Sequence, residues 1–115
     1  MTTIDHEQRI ARTESLFRDV NERIAESAER FDSPSAEFVC ECADQNCTDR
    51  VEATLDEYER VRADGTRFLV RPGHEDTRVE RVVARRGRRH AVVEKFNAAV
   101  AQMVRRLNPR TQGAT

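Results

Sequence analysis

The chain has no tryptophan, one tyrosine, four glycines, three prolines and a single lysine among 115 residues. Four glycines leave no room for a glycine-rich phosphate loop, and neither GxGxxG nor GxxxxGK[ST] occurs. HExxH and GxSxG are also missing, so neither a metalloprotease helix nor a nucleophile elbow is present. No apolar stretch approaches the roughly 20 residues of a membrane span, and the first residues carry neither a basic n-region nor an apolar h-region. A cytoplasmic protein without a membrane anchor is expected. Only 37% of residues are hydrophobic against 36% charged, which predicts a thin core for a single domain spanning 1–115, with frayed ends at 1–4 and 110–115.

What the chain does have is clustered. All three cysteines fall within Phe38-Val39-Cys40-Glu41-Cys42-Ala43-Asp44-Gln45-Asn46-Cys47, a C-x-C-x4-C pattern. Reducing cytosol favours clustered thiols as ligands over a disulfide framework. Tetrahedral structural zinc takes four Cys or His donors, so a fourth must come from elsewhere. His74 follows the Pro72-Gly73 turn and is the best placed; His90, within a predicted strand, and His6, near the N-terminus, are weaker choices. The predicted site is therefore a structural zinc on Cys40, Cys42, Cys47 and His74. Buried free thiols and a redox pair with a resolving cysteine are the alternatives. The nearest catalytic pattern is that of zinc deaminases, where a glutamate beside the ligand histidine shuttles protons. Glu75 does follow His74, but the cysteine spacing and order differ, and four protein ligands leave zinc no open position. A non-enzymatic regulatory or adaptor module is expected, with a thiol-based redox switch as the alternative.

Along the chain, Ile10, Phe17, Ile24 and Phe31 recur every seven residues, with Leu16, Val20 and Ala28 widening the stripe; this predicts an amphipathic helix over 5–31 with that stripe buried. Its heptad spacing also allows a dimer seam, but Thr13 and Ser27 interrupt it, so packing on the protein's own sheet in a monomer is preferred. Pro34 ends this helix, and residues 36–42 read as a strand. Val51 to Leu55 leads into a second helix with Thr54 as N-cap and Glu57 completing a capping box; Leu55, Tyr58 and Val61 face inward, Arg60 and Arg62 outward. Residues 67–70, 79–85 and 89–95 read as strands, the last two forming a hairpin around Gly87, and residues 96–108 as a final helix. The fold class is α+β: a long N-terminal helix, a small, mainly antiparallel sheet with an inserted short helix, and a C-terminal helix.

Charge is divided along the chain. Residues 1–64 carry 17 acids and 8 arginines, whereas residues 65–115 carry 4 acids, 11 arginines and the lysine. Arg78, Arg81, Arg85, Arg86, Arg88 and Arg89 crowd the hairpin, a second candidate surface for nucleic acid or protein, although no aromatic is available there for base stacking.

Phe17-Arg18-Asp19-Val20-Asn21-Glu22-Arg23-Ile24, the segment Phe38–Cys47, Glu57-Tyr58-Glu59-Arg60-Val61-Arg62, and Arg67-Phe68-Leu69-Val70 through Pro72-Gly73-His74-Glu75 together resemble a group of small uncharacterised actinobacterial proteins with an FVCEC-x4-C and PGHE pattern. The resemblance covers residues 14–95. It implies a bacterial cytoplasmic protein and is consistent with a Cys/His ligand set.

Overall fold

The computed structural model describes residues 3–112. Residues 1, 2 and 113–115, part of the ends expected to fray, lie outside that range. The order is α1 (Thr3–Arg30), β1 (Ser35–Val39), β2 (Arg50–Thr54), α2 (Leu55–Arg62), β3 (Arg67–Val70), β4 (Glu80–Arg86), β5 (His90–Lys95), α3 (Ala98–Arg106) and α4 (Pro109–Gln112). The α+β class stands. Two antiparallel sheets replace the single one expected: β1 pairs with β2, and β5 lies between β3 and β4. They abut where the Glu41 N–H donates to Leu69 O at 2.8 Å.

Strand β2 is not foreseen in the sequence. Arg50-Val51-Glu52-Ala53-Thr54 alternates exposed and buried positions, returning the chain from the cysteine loop to pair with β1. β1 itself ends at Val39, three residues before the predicted strand end at Cys42.

α1 forms over nearly its predicted length but turns a different face inward. Glu7, Ile10, Ala11, Glu14, Ser15, Arg18, Asn21 and Ala25 are buried, whereas Leu16, Val20 and Phe31 are 64%, 37% and 75% exposed. Specific partners make this polar face buriable. Arg18 donates to Gly65 O and Val104 O, each at 2.8 Å, with its guanidinium 4.5 Å from the centre of the Phe68 ring. Burial first, then the nearby Arg62 charge, pushes Arg18 down to about 10, which still leaves it charged at neutral pH. Asn21 brackets the β1 backbone: its Oδ1 accepts from Val39 N–H at 2.8 Å and its Nδ2 donates to Val39 O at 2.9 Å. The helix stops with Asp32 in the left-handed region at φ 56°, and Ser33 N–H closes back on Ala28 O at 2.8 Å.

The β3-β5-β4 sheet is apolar on both faces. Phe68, Val70, Ala91 and Val93 join Ile10, Val100 and Val104 under α1 and α3. Leu69 and Val92 join Phe38, Val51, Tyr58 and Val61 on the α2 side, where the Phe38 and Tyr58 rings stack 4.6 Å apart. Arg62, expected to point outward, is buried instead, donating to Glu22 Oε2 at 3.1 Å and to Asn108 Oδ1. Arg110, expected in a frayed tail, lies in α4 and ion-pairs with Glu22 and Glu59, each at 2.8 Å.

The Thr54 capping box forms as read: Thr54 Oγ1 accepts from Glu57 N–H at 3.0 Å, and Glu57 Oε1 accepts from Thr54 N–H at 2.9 Å. Glu57 also accepts from Arg89, and that bond holds its carboxyl down at about 2. A depressed carboxylate contributes stability that is present above its ordinary value near 4.5 and is lost as pH falls through the folded value. Glu57→Ala should therefore cost about 1 kcal/mol at pH 7. The gap between variant and wild type in urea midpoint should narrow toward pH 3. A gap that is unchanged with pH would mean that the carboxylate charge is not responsible.

Candidate metal centre

The segment leaving β1 and the turn after β3 build the cluster. Cys40 and Cys42 flank Glu41, so both thiols point to one side and the carboxylate to the other. Glu41 is fully buried and accepts from Asn21 Nδ2 at 2.7 Å and from Leu69 N–H at 2.8 Å. Burial raises its carboxyl pKa, opposed by those two hydrogen bonds. The loop returns through Cys47, whose N–H donates to Asp44 O at 3.0 Å. His74 is delivered by the Arg71–His74 turn, closed by a 2.9 Å hydrogen bond, with Gly73 at φ 95°, where an L side chain would be strained.

The four donor atoms of Cys40, Cys42, Cys47 and His74 lie within 4.8 Å of one another, close enough to hold one metal ion. His74 Nδ1 is 3.6 Å from Cys40 Sγ and 3.7 Å from Cys47 Sγ. Tetrahedral zinc, with Zn–S about 2.3 Å and Zn–N about 2.0–2.1 Å, sets sulfur and nitrogen roughly 3.5–3.6 Å apart and two sulfurs roughly 3.8 Å apart. The residues thus fit such an ion with closures of up to about 1 Å at the loosest pair.

The surroundings suit the same task. The Arg71 N–H donates to Cys40 Sγ at 3.2 Å. Asp49 Oδ2 lies 3.4 Å from His74 Nε2 and 3.1 Å from Arg71 Nη1. A carboxylate on the far ring nitrogen fixes which nitrogen faces the thiols, a usual arrangement for histidine ligands. Asp49 escaped the sequence reading; its only signal is its position two residues beyond the last cysteine. Without an ion the sulfurs share charge unevenly: a hydrogen bond from Cys40 holds Cys42 at about 5, while that same bond and burial push the Cys40 thiol up. Burial also raises Cys47.

No family model matches the chain, and no curated protein or solved structure matches it.

His6 and His90 do not join the cluster. His6 is exposed on α1, and His90 is buried in β5 with Nδ1 bonded to Glu52 O at 2.8 Å. Glu75 is turned back on its own loop, its Oε1 accepting from Gly73 N–H at 3.1 Å. In the arginine-rich region, Arg78 pairs with Asp76 at 2.7 Å, Arg81 with Glu94 at 3.5 Å, and Arg86 and Arg89 with Glu57 at 3.6 and 2.9 Å. Arg85 and Arg88 are exposed and have no salt-bridge partner among the described residues. The free positive charge of this surface is therefore smaller than its residue count. No helix among the described residues is long and apolar enough to cross a membrane.

Proposed function

We propose that this chain is a non-enzymatic regulatory or adaptor module whose fold is locked by a structural zinc on Cys40, Cys42, Cys47 and His74. The observation that carries the reading is the convergence of three sulfurs and one imidazole from two separate loops, with sulfur–nitrogen separations of 3.6 and 3.7 Å. Four protein donors close a tetrahedron and leave no position for water or substrate, the mark of a structural site. Glu75, the one candidate proton shuttle, is held by its own turn and away from that role. Zinc is favoured over harder ions by the thiolate-rich set.

Elemental analysis of the purified protein should return about one zinc per chain. Replacement by cobalt should give the visible bands of a tetrahedral thiolate site, and these should weaken in Cys47→Ser. Stoichiometry near zero, with all three thiols reacting freely in the native protein, would end the proposal.

A further inference from the structure

We propose that the cleft between α2 and the β3-β5-β4 sheet binds a small organic acid with an apolar body, the size of a single aromatic ring bearing its carboxylate. The inference stands apart from the metal reading, because no residue of the Cys/His cluster lines this cleft. The cleft has a volume of about 200 Å³. An apolar cavity of about 150 Å³ takes benzene, so this space suits one ring and a small polar group. Val61 of α2, Val83 and Ala84 of β4 and Val92 of β5 supply the apolar lining. Two consecutive residues of β4 both line it because the β4–β5 register shifts between Val82 and Ala84. Such a bulge re-aims a side chain that a regular strand would send to the opposite face.

Charge selects an anion. Arg60, Arg67 and Arg86 border the cleft against one carboxylate, that of Glu57. Glu57 is already answered, since it accepts from Thr54 N–H and from Arg89 and lies 3.6 Å from Arg86. Arg67 is held toward Glu94 at 3.1 Å, but Arg60 is exposed and has no salt-bridge partner among the described residues. A cleft lined by an excess of one sign draws the opposite charge, and a guanidinium meets a planar carboxylate through two parallel hydrogen bonds. The same flat group stacks on aromatic faces, which favours an aromatic acid over an open-chain one. A bare inorganic anion would leave the valine lining unused. His90 adds a polar atom that the fold leaves over. It is 1% exposed and lines the cleft. Its Nδ1 donates to Glu52 O, since a carbonyl only accepts, and its Nε2 has no hydrogen-bond partner among the described residues.

Benzoate titrated into the isotope-labelled protein should shift the amide NMR signals of Val61, Val83 and Val92 and reach half-saturation at about 1 mM or below. Benzamide, its uncharged isostere, should bind at least about tenfold more weakly. Arg60→Ala should raise the half-saturation concentration about fivefold while leaving signals remote from the cleft in place, and Arg60→Lys should recover part of the loss. The absence of saturable shifts at these amides with benzoate at tens of millimolar would overturn the inference. So would benzamide binding as tightly as benzoate, or inorganic phosphate moving the same amides at the same concentration, since either removes one of the two features that define the ligand. An affinity unchanged by Arg60→Ala would overturn the placing of the carboxylate at this rim.

Discussion

Stripping the proposed zinc from the purified protein should lower its thermal midpoint by about 15 °C or more, equivalent to at least about 4 kcal/mol. The effect should be large because the cluster joins segments that little else holds. Between Cys42 and Asp49 the main-chain hydrogen bonds found are those of Cys47 to Asp44 and of Cys40 N–H to Asp49 O, both at 3.0 Å. The His74 turn is tied to the cysteine segment through the Arg71 N–H on Cys40 Sγ and through Asp49. Without a cation, three sulfurs held this close cannot all ionise, and the loops lose their common anchor. Melting curves with and without a strong chelator read the loss. Amide exchange should localise it to residues 42–49 and 71–78, with the β5 amides exchanging last. A shift below about 2 °C, with the loop amides still protected, would remove the ion from any account of this fold.

Lys95→Met should cost about 3–5 kcal/mol at pH 7. Lys95, Glu14 and Glu80 have fully buried side chains, and the ammonium pairs with both carboxylates while lying 4.8 Å from the centre of the Phe68 ring. Glu80 is further held by Asp76 N–H at 2.8 Å. Removing the lone cation strands two carboxylates in the core, and the loss comes from that unpaired charge more than from the pair's own worth. The pH dependence identifies the cause. Burial already raises the Glu14 carboxyl well above its ordinary value, opposed chiefly by Lys95. A raised carboxyl favours the folded state most when protonated, so its penalty grows as pH climbs from about 4.5 through the folded value. Losing Lys95 should steepen that penalty. The variant should therefore stand nearest to wild type in mild acid and furthest from it near pH 8, and adding Glu14→Gln should recover much of the deficit. Urea titrations at pH 5 and pH 8 measure both effects. A cost under about 1 kcal/mol, or one that is the same at both pH values, would show that the triad is not the linchpin described.

Local chemistry made parts of this molecule legible in its residues. The capping box at Thr54 and Glu57 reads directly, because both of its bonds are made within four residues. The hairpin at Gly87 reads for the same reason, the glycine taking φ 58°. The pairing of the cysteine loop with His74 followed from valence, which demands a fourth donor that the Pro72-Gly73 turn could supply. The inward face of α1 did not read, because periodicity assumes that buried means apolar. Here Arg18 and Asn21 are buried on carbonyl and amide groups of α3, the Gly65 turn and β1, partners up to 86 residues away. Arg62 misled in the same way, its partners Glu22 and Asn108 being 40 and 46 residues distant. β2 was missed because Val51-Glu52-Ala53 is a short alternation running straight into a strong helix start.

Glu41 carries a consequence for how the chain can vary in length. Its carboxylate serves α1 and β3 while the residues on either side turn their sulfurs toward His74, so the segment is fixed from both faces at once. Inserting or deleting one residue between Phe38 and Cys42 would swap the two sides, aiming a thiol at Asn21 and an acid at the sulfur cluster. Neither side could accept the exchange, so this stretch is intolerant of single-residue indels, whereas the open loop of residues 43–46 has room for them.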